Sequence, residues 1–138
     1  MSFTRRLLAL AATLAVAAAV ILGVAAPASA SASGCTLAPN GYVCGGVDGQ
    51  SLFVNSAYVV RGKQGTEFIC NYRGTVRVYN SAGHQIYLKR SGRHQGCTPL
   101  RAWFNFSIKR SFPQNSKLCT SFYERDVRQG TTCFKIHR

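Results

Sequence analysis

The chain has 138 residues, of which 17 are Lys or Arg and only four are Asp or Glu, and it contains six Cys. This length supplies one domain at most, which excludes a multidomain enzyme and a doubly wound nucleotide-binding fold. Hydrophobic residues make up 46% and charged residues 15% of the chain, a balance too apolar for a disordered polycation. We therefore expect one small, folded and strongly basic domain.

Residues 1–30 have the pattern of a secretory signal peptide: two adjacent Arg, a long Ala-rich apolar run, then small residues. We expect cleavage after Ala30, or alternatively after Ala32, and a secreted, extracellular product without a transmembrane segment in the mature chain. An uncleaved anchor and lipidation of Cys35 are the alternatives. The Ala-rich leader and the preference for Arg over Lys are typical of a Gram-positive bacterium with GC-rich DNA. Cleavage lowers the 17 basic residues to 15, and the four acids then leave a net charge of +11.

All six Cys follow this segment, and an even number in a small exported domain predicts three disulfides. The closely spaced Cys pairs of zinc sites are absent, so we expect no metal and no cofactor. The simplest pairing joins neighbours in the sequence: Cys35–Cys44, Cys70–Cys97 and Cys119–Cys133. The last pair has independent support, because Leu118 and Phe122 share one face of their strand and leave Cys119 on the other.

Stretches of alternating apolar and polar residues recur along the chain, and no stretch has apolar residues at helical spacing. Residues 31–50 are rich in Gly and Ser and are predicted to be loose, so the β-domain should cover 51–138. The predicted strands are 51–60, 66–73, 75–80, 84–90, 101–110, 117–124 and 131–137. A break is expected near Gly74 and a basic loop over 91–96. About seven short strands predict an all-β, disulfide-stapled antiparallel β-sandwich, with a small closed β-barrel as the alternative.

Alternation within the strands predicts a polar face on each, and if these faces coincide they form a surface of interleaved aromatic and cationic side chains. In 101–110 the even positions are apolar and should face the core, which leaves Trp103, the only Trp, on the polar face. In the 75–90 hairpin the side chains expected to face the core are Val76, Val78, Ile86 and Leu88. The predicted binding residues are Arg77, Tyr79, Tyr87, Lys89, Arg101, Trp103, Lys109 and Tyr123, with Lys135 beside the last of them. The alternative is that loops or a second sheet cover these aromatic side chains.

The positive field of such a chain should attract anionic cell-envelope polymers and, without specificity, nucleic acid. We therefore predict a secreted cationic binding protein, antibacterial or toxin-like, that acts at an anionic cell envelope. One alternative is an adaptor or accessory subunit that docks to another secreted protein. Another is a protease inhibitor that presents Lys63 or Arg93 on a loop.

Candidate catalytic residues are few, so we expect a binding protein rather than an enzyme. A secreted ribonuclease would need two proton-transfer groups and a cation, which His84, His94 and Glu67 could supply with a nearby Arg. Glu124 and Asp126 could form the carboxylate pair of a glycosidase. Arg125 and Arg128 adjoin them, however, which predicts ion pairs instead. Neither a G-x-S-x-G motif nor a phosphate-binding Gly loop is present.

Overall fold

The computed structural model describes residues 31–138, which form nine strands and no helix. In chain order the strands are β1 (Ala32–Ala38), β2 (Gly41–Gln50), β3 (Phe53–Lys63), β4 (Phe68–Tyr79), β5 (Gln85–Arg90), β6 (His94–Pro99), β7 (Arg101–Ser111), β8 (Ser116–Glu124) and β9 (Val127–Ile136). The predicted signal peptide and its cleavage after Ala30 lie outside the described residues. Within the described range no helix is long and apolar enough to cross a membrane.

The strands form two antiparallel sheets. Sheet A has the order β1-β2-β3-β7, and sheet B has the order β5-β4-β8-β9, with β6 paired to the first half of β4. The two sheets are not closed into a barrel. The predicted all-β sandwich is therefore confirmed, and the barrel alternative is wrong.

The core lies between the two sheets, where inward-facing side chains of both meet. Its aliphatic part includes the fully buried residues Val43, Val54, Val59, Ile69, Val76, Val78 and Leu118. Tyr72, Phe104 and Phe122 form an aromatic cluster, with ring centroids 5.6 to 6.1 Å apart. As predicted, the even positions of β7 face this core, with Ala102 and Phe106 buried. Packing on the inner faces leaves the two outer faces of the sandwich to solvent.

All three disulfides join neighbouring Cys in the sequence, as predicted. In each pair the two Cys are directly opposed on adjacent antiparallel strands: Cys35–Cys44 in β1 and β2, Cys70–Cys97 in β4 and β6, and Cys119–Cys133 in β8 and β9. The bridges therefore hold together three separate strand pairs. Two of these pairs lie at a sheet edge: β1 and β2 in sheet A, and β8 and β9 in sheet B.

The prediction that residues 31–50 are loose is wrong, because they form β1 and β2. The high Gly content of this stretch is typical of a loose segment. In β2, however, glycine is required because the two sheets pack closely there. A Cβ on Gly45 would lie 2.0 Å from Thr120 Oγ1 and 2.1 Å from Thr132 Oγ1 of sheet B. The absence of a side chain at Gly45 thus lets the two sheets approach.

Two further predictions near β4 are wrong. The chain does not break near Gly74, since β4 runs continuously, and a Cβ there would lie 2.9 Å from Val59 Cγ1 across the core. Residues 91–96 are not all loop, because β6 begins at His94 and pairs with β4 opposite Tyr72. β6 thus replaces the strand lost when two predicted strands merge into β4, and the rise from seven strands to nine comes from β1 and β2.

The predicted side-chain directions in β5 are also wrong. Tyr87 lies opposite Val78, and Lys89 lies opposite Val76, so both share the core-facing side of the sheet. Ile86 and Leu88 point outward instead and are 38% and 36% exposed. The cause is the register, which shifts after Val78, because a shift of one residue exchanges the two faces of a strand.

Candidate binding surfaces

The outer face of sheet B carries a dense set of cations. Val76, Val78 and Leu118 point into the core, so alternate residues of β4 and β8 point outward. The register adds the neighbouring outward residues of β5 and β9. We call this surface the cationic face; its charged residues are Arg73, Arg77, Arg90, Lys117, Arg128 and Lys135, and its aromatic residues are Tyr79 and Tyr123.

The register places several of these side chains in rows across sheet B. Tyr79 is opposite Lys117, and Lys117 is opposite Lys135, so the three form one row. In the next row Arg77 is opposite Cys119, which is bonded to Cys133. An open depression of about 710 Å³ is lined by Tyr79, both Lys and the disulfide. Its size suits a small ligand or a polymer segment, and its walls carry positive charge.

The Tyr123 hydroxyl responds to the local positive potential. Arg77 Nη1 donates a 3.0 Å hydrogen bond to this hydroxyl, and the Arg73 guanidinium lies 4.5 Å from the ring centroid. Burial alone would raise the pKa of the phenol. The hydrogen bond and charge of Arg77, a hydrogen bond with Thr75 and the charge of Arg128 together outweigh burial and lower the pKa below its ordinary value. An anion is therefore favoured at this point of the cationic face.

Acidic side chains neutralise positive charge at only one end of the cationic face. Arg93 Nη2 donates to both carboxylate oxygens of Asp126, at 2.5 and 2.6 Å, and Arg73 Nε lies 3.4 Å from Oδ1. The hydrogen bond from Arg93 is the main reason why the pKa of Asp126 is lowered. The ion pairs found between residues 31 and 138 involve no other cation of this face.

The outer face of sheet A is aromatic and nearly neutral. Trp103 of β7 is 60% exposed and lies opposite Val60 of β3. Tyr42 and Tyr58 flank Val60 on the same side of the sheet, and a shallow groove between them reaches Arg101. We call this surface the aromatic face; its rings are Tyr42, Tyr58 and Trp103, and its charged residues are Arg101 and Asp48. The alternative that Trp103 is covered is wrong.

The predicted binding residues are divided between these surfaces. The cationic face includes Arg77, Tyr79 and Tyr123. The aromatic face includes Arg101 and Trp103. The other three lie elsewhere: Lys109 near the irregular end of β7, and Tyr87 and Lys89 on the inner side of β5. The polar faces of these strands do not coincide, because β7 belongs to sheet A whereas β4 and β8 belong to sheet B.

The inward orientation of Tyr87 and Lys89 gives them structural contacts. The Tyr87 ring meets the Phe112 ring edge-on, with centroids 5.5 Å apart. Lys89 Nζ donates a 2.6 Å hydrogen bond to the carbonyl oxygen of Ser107 in sheet A. Both side chains thus connect β5 to the rest of the sandwich, and we remove them from the set of candidate binding residues.

Sequence reasoning missed important members of both faces. Tyr42 was overlooked because it lies in the stretch that was predicted to be loose. Lys117 had a readable signal, since it precedes the buried Leu118 and alternates with it, just as Lys135 precedes the buried Ile136. Alternation on both strands of the last hairpin would have placed these two Lys side by side.

The candidate catalytic and inhibitory side chains are separated or already engaged. The backbone of His84 bonds to Asn80 just after the end of β4, whereas His94 pairs with Tyr72 in its first half, so roughly 25 Å of strand separates the two His. Lys63 Nζ lies 3.1 Å from Glu124 Oε1, and Arg93 is held in its ion pair, so neither extends freely into solvent. The described part of the chain has no group of three or more side chains that could hold a metal ion.

Comparisons of the chain with protein-family models, with curated proteins and with solved structures gave no significant match. A function therefore has to be argued from the chemistry of the surfaces themselves. The two outer faces differ sharply in charge and in aromatic content.

Proposed function

We propose that the protein is a secreted binding protein, antibacterial or toxin-like, that attaches to anionic polymers of a bacterial cell envelope through its cationic face. The observation that carries this proposal is the direct opposition of Lys117 and Lys135. Like charges placed opposite each other on adjacent strands destabilise a sheet. Their side-by-side placement, without an acid between them, fits a surface that receives anions from outside the protein.

The spacing of the face suits a polymer with repeating negative charges. Adjacent strands lie about 4.8 Å apart, so Lys117 and Lys135 could contact successive phosphates of a flexible polyphosphodiester such as a teichoic acid. Arg77 and Arg128 extend the same field toward Tyr123. Three disulfides are typical of proteins that work in an oxidising, extracellular setting.

Reversing the two opposed Lys tests this proposal. We expect Lys117→Glu/Lys135→Glu to bind immobilised poly(glycerol phosphate) roughly 10- to 100-fold more weakly than wild type near 0.15 M salt, since an unscreened pair of unit charges in contact contributes about 1 kcal/mol in water. Wild-type binding should itself weaken as salt is raised. Stability should change little, because the variant retains a pair of opposed like charges. Biolayer interferometry at several salt concentrations measures the affinities.

Arg101→Glu/Lys109→Glu is the matched control, since it changes the net charge equally but on β7 of sheet A. We expect it to lose affinity by less than about threefold, an effect of the overall field alone. Equal losses in the two variants would contradict a localised site. Undiminished binding by the sheet B variant would remove the cationic face from the function.

A cluster of exposed apolar side chains favours the adaptor function as a second candidate. Phe68 and Val127 line one depression at the end of the sandwich and are 56% and 62% exposed, and Leu100 nearby is 47% exposed. Such a cluster suits a protein partner. If the protein is an adaptor, it should capture one exported protein, and this binding should persist in high salt. The double variant Phe68→Ser/Val127→Ser should abolish the capture. Polymer binding at the cationic face requires neither result.

A further inference from the structure

Two Tyr rings of the aromatic face lie directly over glycines of neighbouring strands. A Cβ on Gly46 would lie 2.2 Å from Tyr58 Cε1, and one on Gly62 would lie 2.3 Å from Tyr42 Cζ. Each Tyr ring therefore rests directly on the backbone of the neighbouring strand, in space that a larger residue would fill. One side of each ring packs on the protein, which leaves the opposite side directed outward.

The register arranges the face as three parallel rows across sheet A. The central row contains the Cys35–Cys44 disulfide, Val60 and Trp103. The row on one side holds Leu37, Tyr42, Gly62 and Arg101, and the row on the other side holds Ser33, Gly46, Tyr58 and Asn105. The surface is thus apolar along its centre, with hydroxyl, amide and guanidinium groups along both margins.

This distribution matches the chemistry of an uncharged sugar chain. The C–H faces of sugar rings are apolar and pack on flat aromatic rings, while the hydroxyl groups at the ring edges need hydrogen-bonding partners. Arg101, Asn105 and the two Tyr hydroxyls stand where those partners are required. The strands that carry Tyr42 and Trp103 lie about 10 Å apart, so the rings can contact more than one sugar along a chain.

We propose that the aromatic face binds a neutral, extended polysaccharide chain, independently of the anion site on the opposite side of the sandwich. Charge supports this choice of occupant, because Arg101 is the only charged side chain in these three rows. A polyanion would favour the cationic face instead. The two faces together would let one molecule contact a charged polymer and an uncharged glycan at the same time.

Trp103 provides a built-in reporter, since it is the only Trp of the chain. The experiment titrates the oxidised protein with cellohexaose and with chitohexaose at high salt, which suppresses binding to the cationic face. We expect a saturable change in Trp103 fluorescence with at least one of these sugars. Pull-down on insoluble cellulose and chitin gives an independent affinity that does not depend on fluorescence.

Trp103→Ala should weaken the pull-down by about tenfold or more, whereas Trp103→Phe should retain part of the binding. Because Trp103 is exposed, thermal melting should show both variants folded. Lys117→Glu/Lys135→Glu is the control on the opposite face and should bind the sugars as wild type does. Binding to neither sugar by folded wild-type protein would overturn the proposal. So would a dimer in sedimentation velocity that Trp103→Ala dissociates, because a second copy would then occupy the face.

Discussion

Replacing Arg61 by Met should lower the free energy of unfolding by about 3 kcal/mol, and the melting temperature by roughly 10 to 20 °C. Arg61 is fully buried, yet its guanidinium bonds to three backbone carbonyls and so ties the β1–β2 turn to β3. Its Nη1 donates to the carbonyl oxygens of Gly62 at 2.6 Å and Tyr42 at 3.2 Å, and its Nη2 donates to that of Pro39. Met fills similar space but leaves these buried acceptors without donors.

Burial lowers the pKa of Arg61, and the charges of Glu124 and Glu67 act in the opposite direction. A buried guanidinium nevertheless stays protonated. The expected loss of stability therefore comes from the missing hydrogen bonds and not from a change in protonation. Arg61→Lys keeps the charge but not the fork of donors, and should fall between wild type and Arg61→Met.

Arg101→Met is the matched control for Arg61→Met. Arg101 is exposed and lies opposite Gly62 on the same sheet, so its loss should change stability by less than about 0.5 kcal/mol. Urea denaturation of the oxidised proteins measures both values. Equal stability of Arg61→Met and wild type would contradict the assigned role of the buried guanidinium.

Replacing Gly45 by Ala should lower the free energy of unfolding by about 3 kcal/mol. The added methyl group would lie 2.0 Å from Thr120 Oγ1 and 2.1 Å from Thr132 Oγ1, which is closer than atoms can approach. The two hydroxyls form a buried 2.9 Å hydrogen bond with each other. Relief of the clash therefore requires the sheets to separate or this bond to break.

Gly92→Ala is the matched control, because a Cβ there would meet no atom within 4 Å. We expect that variant to be as stable as wild type. Removing both hydroxyls with Thr120→Ala/Thr132→Ala should restore much of the stability lost in Gly45→Ala, a non-additive effect expected for residues in contact. Thermal melting of wild type, Gly45→Ala, Thr120→Ala/Thr132→Ala and the triple variant provides the measurement, with Gly92→Ala melted beside them. Simple additivity would mean that Gly45 does not set the sheet spacing.

The predictions that the structure confirms rest on residues that lie close together in the sequence. The three disulfides could be paired because each links two strands that adjoin in the chain or nearly so. The alternation in β7 could be read because Ala102, Phe104, Phe106 and Ile108 form an uninterrupted apolar set, which also placed Trp103 outside. Such local patterns survive folding because one face of the strand is buried against a single core.

The predictions that failed depended on contacts between distant segments. The need for glycine at Gly45 comes from Thr120 and Thr132, which lie far along the chain, so the sequence around β2 alone resembled a turn. The register of β5 depends on an irregularity after Val78. Nothing local to β7 shows that it pairs with β3 in sheet A. Arg77 and Trp103 were therefore assigned to one surface, although they belong to opposite sides of the sandwich.

The central claim is that anionic polymers bind at the outer face of sheet B. The most direct measurement is a titration of ¹⁵N-labelled, oxidised protein with soluble poly(glycerol phosphate) at low salt, followed by two-dimensional NMR. We predict shifts concentrated at the backbone amides of Arg77, Lys117 and Lys135, with little change in β3 and β7, and loss of these shifts at high salt. Shifts concentrated on sheet A, or spread evenly over both sheets, would contradict the account.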